Sequence, residues 1–174
     1  TGWGSGLNIS KTIKEMINAG ADAVHLEDQV SEKRCGHRPG KEIVSSDEME
    51  DRIKAAKDSI DNKNFMLMAR TDAFSKEGIS SVIDRSNAYV EAGADSIFPE
   101  AITKLDDYLE ISKNVNAPIL ANITEFGLTP MFEINELKNS GVKMILYPLS
   151  AFRAMSKAAE EVYEELAEQE TLKN

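Results

Sequence analysis

The sequence predicts an α/β protein whose architecture is a (β/α)8 TIM-type barrel, present in this chain as a partial barrel. Helical and strand-like segments alternate along the whole chain, which indicates repeated βα units. The strand-like segments are almost wholly apolar, as is typical of parallel strands buried on both faces. Polar side chains follow the C-terminal end of each strand, and in a barrel these ends converge on one face.

Three glycines mark the points where a predicted helix ends and a strand begins. Gly20, Gly93 and Gly141 each follow a helical segment and suit the left-handed conformation of a helix C-cap. Apolar runs come directly after them, and two more lie elsewhere in the chain. The predicted strands therefore cover residues 21–26, 65–69, 96–99, 118–123 and 143–147.

Helical patterns fill the intervals between these strands. Ser45 and Asp47 offer overlapping capping boxes with Glu48 and Glu50. Apolar residues then recur at helical spacing at Met49, Ile53, Ala56 and Ile60. Further helices are predicted over residues 80–92, 104–114, 130–139 and 152–170.

A doubly wound sheet is the other architecture compatible with alternating elements. It would concentrate functional groups at one crevice, and no glycine-rich dinucleotide or phosphate-loop motif supports it. A complete barrel needs eight strands and about 250 residues. Five predicted strands and a stub at residues 1–4, in 174 residues, indicate one partial barrel domain over residues 1–174. We expect the missing strands before Thr1, and we expect the isolated chain to fold poorly and to be inactive.

The amino-acid composition indicates which kinds of molecule the protein is expected to bind. The chain has 20 Lys and Arg against 30 Asp and Glu, a balance that disfavours nucleic-acid binding. No apolar run approaches the length of a membrane span, and no signal peptide is recognisable. The single cysteine fits a reducing compartment. These features predict a cytoplasmic enzyme with a small-molecule substrate.

The loop over residues 33–41 is the strongest candidate for a reactive site. It places Cys35 among Lys33, Arg34, Arg38 and Lys41, and His37 follows two positions later. Neighbouring cations favour the thiolate, so a lowered thiol pKa and raised reactivity are expected. Gly36 allows a close approach of the backbone to a ligand. The loop therefore predicts a thiol that acts on a small polyanion.

Carboxylates at the end of the first strand suggest a metal ion. Glu27 and Asp28 are adjacent, so their side chains point to opposite faces of the strand, and we expect Glu27 to face the barrel mouth. Mg²⁺ is usually held by one or two carboxylates with waters and substrate oxygens, so Glu27 alone is an incomplete site. His25, in mid-strand, is expected to lie in the core or line the barrel rather than bind metal.

Other strand ends offer groups that bind carboxylates. Arg70 follows an apolar strand and either pairs with Asp72 or Glu100 or binds a substrate carboxylate through its guanidinium. Asn122 and Thr124 lie two positions apart, so they face the same way and suit a second carboxylate or loop hydrogen bonds.

Six motifs carry a resemblance to a known family. They are HLEDQ at 25–29, KRCGHRPGK at 33–41, MARTDA at 68–73, FPEA at 98–101, NITEFG at 122–127 and YPLSAFR at 147–153. In this order they resemble the 2-methylisocitrate lyases of the isocitrate lyase and phosphoenolpyruvate mutase superfamily. The resemblance implies cleavage of 2-methylisocitrate to pyruvate and succinate in the methylcitrate cycle of propionate catabolism.

The resemblance also implies roles for the candidate residues. Cys35 is expected to be the general acid or base, tuned by Lys33 and assisted by His37. Glu27 is expected to contribute to a Mg²⁺ site whose remaining acidic ligands precede Thr1. The resemblance further implies a homotetramer, and it leads us to expect additional C-terminal helices beyond Asn174. The residues expected to bind substrate are Trp3, Gly4, Gly36, Arg70, Glu100, Asn122 and Thr124.

Two alternatives remain open. Within the superfamily, the chain could belong to an isocitrate lyase, an oxaloacetate hydrolase or a phosphonopyruvate-type enzyme. Outside catalysis, it could be a thiol sensor that has kept the fold. The identity of the ketoacid product distinguishes the first set, and the effect of Cys35→Ser on activity tests the second.

Overall fold

The computed structural model describes residues 1–2, 4–61 and 64–172, and within them helices alternate with strands throughout. The helices are α1 (Gly6–Asn18), α2 (Ser46–Lys57), α3 (Phe74–Glu91), α4 (Leu105–Asn114), α5 (Ile134–Asn139) and α6 (Ser150–Gln169). The strands are β1 (Ala23–Glu27), β2 (Met66–Thr71), β3 (Ser96–Pro99), β4 (Leu120–Asn122) and β5 (Met144–Leu146).

All paired strands are parallel, and their spatial order follows the sequence. β1 pairs with β2 so that Glu27 lies opposite Arg70, and β2 pairs with β3 so that Arg70 lies opposite Phe98. β4 pairs with β5. The two sheets meet where the Ile97 amide donates to the Pro118 carbonyl at 3.0 Å. Because each strand lies beside the previous one, the C-terminal ends form one continuous edge.

The two faces of the sheet have different surroundings. Leu67, Ala69 and Ile97 are fully buried on the face that packs against the helices. The helices contribute a matching set of fully buried side chains: Ile9, Ile13, Ile53, Val82, Tyr89 and Ile111. The opposite face carries His25, Glu27, Arg70 and Phe98, and His25 is exposed. Burial on both faces, which the apolar strands predicted, is therefore incomplete at β1.

Capping residues and one kink set the N-terminal ends of three helices, and two of these ends differ from the predicted ones. α2 begins after Ser45, whose side chain accepts from the Glu48 amide at 3.2 Å. α3 begins at Phe74 rather than residue 80, because a short helical turn joins the main helix across Gly78, whose φ is 79°. α5 begins at Ile134 rather than residue 130, because Glu133 and Glu136 form a capping box there.

The α/β class and the parallel pairing are confirmed. The strand order is that of an arc of a barrel and not the reversed order of a doubly wound sheet, whereas closure into a barrel remains a prediction. None of the helices in the described part of the chain is both long enough and apolar enough to cross a membrane.

Candidate active site

A buried arginine gathers three carboxylates at the C-terminal edge of the sheet. Arg70 Nε lies 2.9 Å from Asp72 Oδ2 and 3.3 Å from Glu27 Oε2. Arg70 Nη1 lies 2.8 Å from Glu100 Oε2. All four side chains are almost inaccessible to solvent, and they come from the ends of β1, β2 and β3. The parallel register therefore builds a charged cluster from residues distant in sequence.

Charge pairing sets the protonation states of this cluster. Burial would raise the pKa of Asp72, but hydrogen bonds and positive charge from Arg70, with the charge of Lys41, lower it. Burial would likewise raise the pKa of Glu100, but a hydrogen bond from His37 and the charge of Arg70 lower it. Both carboxyl groups are therefore anions near neutral pH, and they hold Arg70 as their counterion.

The loop over residues 33–41 lies directly on this cluster. A Cβ atom at Gly36 would overlap Glu100 Cγ and would lie 2.5 Å from Arg70 Nη2 and Asp72 Oδ1. His37 Nε2 lies 2.8 Å from Glu100 Oε1, which ties the loop to the end of β3. The close approach expected at Gly36 is therefore an approach to protein side chains, and only glycine fits there.

Cys35 lies at a cavity of about 360 Å³ above the cluster, and its thiol is free and exposed. Most of the predicted site residues line this one cavity. They are Lys33, Cys35, Gly36, His37, Arg70, Glu100, Asn122 and Thr124. The buried Oδ1 of Asn122 accepts no hydrogen bond from a described residue, so an acceptor remains available beside the cavity. Asn122 Nδ2 donates to the two carboxylate oxygens of Glu100 at 3.3 and 3.4 Å, so this side chain offers the cavity an acceptor. Lys33, Arg70 and Arg153 are among the cations that line the cavity beside the thiol.

Glu27 and Asp28 point to opposite faces, and their surroundings differ accordingly. Glu27 forms an ion pair with Lys33 at 2.9 Å, and its Oε1 accepts no well-directed hydrogen bond from the described residues. Asp28 instead accepts from Thr71 at 2.7 Å and from Tyr89 at 2.9 Å beneath the sheet edge. Burial raises the pKa of Asp28, although these hydrogen bonds and that of the Asp72 amide oppose the shift.

The described residues fit a magnesium ion only in part. The carboxylate oxygens of Glu27 are ligands of the kind that Mg²⁺ prefers, but Lys33 Nζ lies 2.9 Å from Oε1 and 3.0 Å from Oε2. No group of three or more His, Cys, Asp or Glu among the described residues is arranged to hold a metal. We therefore assign Glu27 as one candidate ligand and derive no reaction step through a metal ion.

Among the described residues, two of the predicted site residues, Gly4 and Glu27, do not line the cavity. Gly4 lies near Ser31 and Arg52 in a separate depression, and Trp3 lies outside the described residues. His25 is exposed rather than in the core, with its ring centroid 5.5 Å from that of Phe98 in an edge-to-face arrangement. It lies on the same face as Arg70, so it lines the open side of the sheet.

Arg153 is one of several cavity residues that were not among the predicted site residues. Arg153, in the first turn of α6, lines the cavity, pairs with Glu125 and lies 5.1 Å from the ring centroid of Phe126. Arg153 belongs to the last of the six motifs, and it follows the end of β5. The strand-end rule pointed to Pro148 and Ser150 and stopped short of Arg153, which lies in the first turn of the next helix at the same edge.

Parallel strands in chain order carry a thiol loop on a buried arginine–carboxylate cluster at their C-terminal edge. They define an α/β protein with a candidate site at that edge. The chain belongs to the phosphoenolpyruvate phosphomutase family, whose sequence profile matches residues 1–167.

Curated relatives point to one enzyme within this family. The chain is 56% identical over 170 residues to the 2-methylisocitrate lyase of Salmonella typhimurium, covering 98% of this chain and 58% of the relative. It is 58% identical over 174 residues to the 2-methylisocitrate lyase of Vibrio cholerae, covering 97% of this chain and 56% of the relative. The chain thus spans somewhat more than half the length of these relatives.

A solved structure supports the same grouping. The fold matches a crystal structure of 2,3-dimethylmalate lyase, a member of the phosphoenolpyruvate mutase/isocitrate lyase superfamily, with a TM-score of 0.93. The two chains are 32% identical, and the match covers 98% of this chain and 58% of the other. The superfamily expected from the six motifs is therefore confirmed.

Proposed function

We propose that this protein is a carbon–carbon lyase that cleaves 2-methylisocitrate to pyruvate and succinate. The observation that carries the proposal is the single cavity shared by Cys35, Arg70, Asn122 and Arg153, which puts a thiol beside anion-binding groups. The identity of 56–58% to proteins named 2-methylisocitrate lyase supports this substrate. The same family relation favours a role in propionate catabolism through the methylcitrate cycle.

The reaction requires one proton to leave and another to arrive. The substrate hydroxyl loses its proton to water as its carbon becomes the carbonyl of pyruvate, and the bond to the neighbouring carbon breaks. The electron pair of that bond remains on the succinate fragment, which needs a proton to become succinate. Cys35 is the group in the cavity that we assign to deliver this proton from its thiol, and in reverse its thiolate accepts it.

The remaining cavity residues bind the departing anion. Arg70 offers guanidinium hydrogens beside its carboxylate partners, and Asn122 and Thr124 offer neutral polar groups on the same side. The Gly36 amide completes this set, His37 assists by holding the loop against Glu100, and Lys33 supplies positive charge near the thiol. The cavity residues thereby stabilise charge that develops on the succinate carboxylate as the bond breaks.

Magnesium, the closed barrel and the assembly are further parts of the proposal. Glu27 would hold Mg²⁺ together with ligands beyond those described, and the ion would supply Lewis-acid stabilisation of the substrate oxygens. The ordered parallel strands suit a (β/α)8 barrel. We further propose a cytoplasmic homotetramer, because the superfamily resemblance implies it.

A product assay tests the lyase. The purified full-length protein is incubated with 2-methylisocitrate and, separately, with isocitrate, in Mg²⁺ and then in excess EDTA. We expect Mg²⁺-dependent release of pyruvate from the first substrate. Preferential release of glyoxylate from the second would instead assign isocitrate lyase, and no turnover of either would favour a thiol sensor.

A further inference from the structure

The backbone on the N-terminal side of Cys35 is held by a buried amide side chain. Gln29, which is 0% exposed, donates from Nε2 to the Arg34 carbonyl at 2.9 Å. Its Oε1 accepts from the Arg34 amide at 2.8 Å. The side chain thus satisfies both backbone groups of the residue before the thiol, as a paired strand would.

The backbone on the C-terminal side of Cys35 is held by a buried ammonium group. Lys41, which is 3% exposed, donates from Nζ to the Gly36 carbonyl at 2.7 Å. The same nitrogen lies 3.2 Å from Asp72 Oδ1, and Asp72 is itself bonded to Arg70 Nε at 2.9 Å. The residue after the thiol is therefore connected to the end of β2.

Neither of these two side chains belongs to the cavity itself. Gln29 and Lys41 are both absent from its lining, whereas Arg34's neighbours Lys33 and Cys35 line it. Both side chains are nevertheless almost fully buried, a setting in which a lysine is rarely found without a charged partner. Their hydrogen bonds are made to the backbone on both sides of Cys35 and to Asp72.

We propose that Gln29 and Lys41 form a clamp that fixes the main chain on both sides of Cys35, and that they are positioning residues for the thiol. The inference rests on the proposed function, because it takes Cys35 as the working thiol. The clamp holds the loop on the Arg70 cluster through these contacts. Lys41 provides the link to Asp72, so the position of the thiol depends on the same carboxylate that orients Arg70.

Trypsin provides a direct measurement, since it cleaves after Lys33 and Arg34 only when the loop leaves its seat. In the full-length protein, we expect Gln29→Leu and Lys41→Met each to accelerate cleavage at these two bonds by about tenfold or more. Lys104→Met, which removes an exposed lysine at the N-cap of α4, should stay within about twofold of the unaltered protein.

Turnover supplies a readout that a purely structural role would not move. Both variants should lower kcat by about tenfold or more while KM changes little, because the cavity lining is unchanged. Cleavage within about twofold of the unaltered protein in both folded variants would overturn the clamp. If loop cleavage accelerates but the unaltered protein shows no lyase turnover, the clamp stands and the proposed function falls.

A measurement without any variant covers the case in which the substitutions prevent folding. The Arg34 amide should exchange its hydrogen with solvent about a hundredfold more slowly than in a free peptide, because Gln29 Oε1 accepts it. Exchange at the free-peptide rate, in the unaltered protein, would overturn the proposal.

Discussion

His37 donates from Nε2 to Glu100 across 2.8 Å, and this contact joins the thiol loop to the end of β3. The other ring nitrogen, Nδ1, accepts from the Leu128 amide at 3.0 Å. Both contacts are satisfied together by the neutral ring with its hydrogen on Nε2, because an acceptor at Nδ1 has no hydrogen. The ring therefore links the loop to two further segments in a single tautomer.

Replacing this ring tests its structural contribution. His37→Phe keeps an aromatic ring but loses both hydrogen bonds, so we expect the free energy of unfolding to fall by about 1–3 kcal/mol. Glu100 keeps Arg70, which limits the loss. Urea denaturation provides the measurement, with the exposed neighbour Arg38→Gln as the control. A change below about 0.5 kcal/mol would show that the contact contributes little.

Gly36→Ala tests the packing of the loop over residues 33–41 against the Arg70 cluster. The added methyl group would overlap Glu100 and approach Arg70 and Asp72, so the loop must move, and we expect a cost of about 1–3 kcal/mol together with a large loss of turnover. Gly6→Ala is the matched control, because its methyl group would lie 3.9 Å from the Ala55 side chain. Equal turnover in the two variants would contradict a seated loop.

Cys35→Ser tests the thiol. Loss of a general acid typically costs about a hundredfold or more in rate, so turnover should fall by at least that factor while the unfolding midpoint stays unchanged. The thiol is exposed and its removal leaves no buried cavity. A reduction smaller than about tenfold would count against its assigned role.

Arg153→Met should affect substrate binding more than folding. Arg153 is partly exposed and lines the cavity, and hydrogen bonds to charged groups contribute about 1.5–3 kcal/mol, which corresponds to about a 10-fold to 100-fold rise in KM. Lys157→Met, one turn further along α6, removes an exposed cation as the control. An equal effect of both substitutions would indicate long-range charge rather than contact.

Asp72→Asn tests the pH dependence of stability. The folded-state pKa of Asp72 is lowered from 3.8, so its contribution is present above about pH 4 and is lost as pH falls through the folded-state value. The substitution should remove that part of the acid-side slope. It should also cost about 3–5 kcal/mol at neutral pH, because Arg70 and Lys41 lose a buried counterion.

Urea denaturation from about pH 3 to pH 7 supplies the measurement for this variant. Asp84→Asn, on the exposed surface of α3, is the control and should leave the slope unchanged. An unchanged acid-side slope in Asp72→Asn would mean that other carboxyl groups dominate the loss of stability in acid.

Much of the site was predictable because strand ends in a parallel sheet share one edge. The rule that connects an apolar strand to the polar residue after it identified Arg70, Glu100 and Asn122, and the structure brings all three to the Cys35 cavity. The alternation of side chains along a strand also separated Glu27 from Asp28. These predictions depend only on local periodicity, which sequence records directly.

Contacts between distant segments could not be predicted in the same way. Lys41 looked like one of four loop cations, but its ammonium group is buried between Gly36 and Asp72. No role was predicted for Gln29, because an amide side chain next to a strand has many possible hydrogen-bond partners. Its partner, the Arg34 backbone, is set by the course of the loop, and composition and spacing carry no record of that course.

The boundary between β3 and β4, where the two sheets meet, divides the residues that line the cavity into two groups. Cys35, Arg70 and Glu100 lie on one side of it, whereas Asn122 and Thr124 lie on the other. The Ile97–Pro118 hydrogen bond, with the packing of Ile97 and Ile119, spans this boundary. Asn122 Nδ2 also donates to Glu100 across this boundary at 3.3 Å, so the strands and the cavity lining are joined at the same place. We therefore expect substitutions of the buried Ile97 or Ile119 to alter the fit of a substrate that neither residue touches.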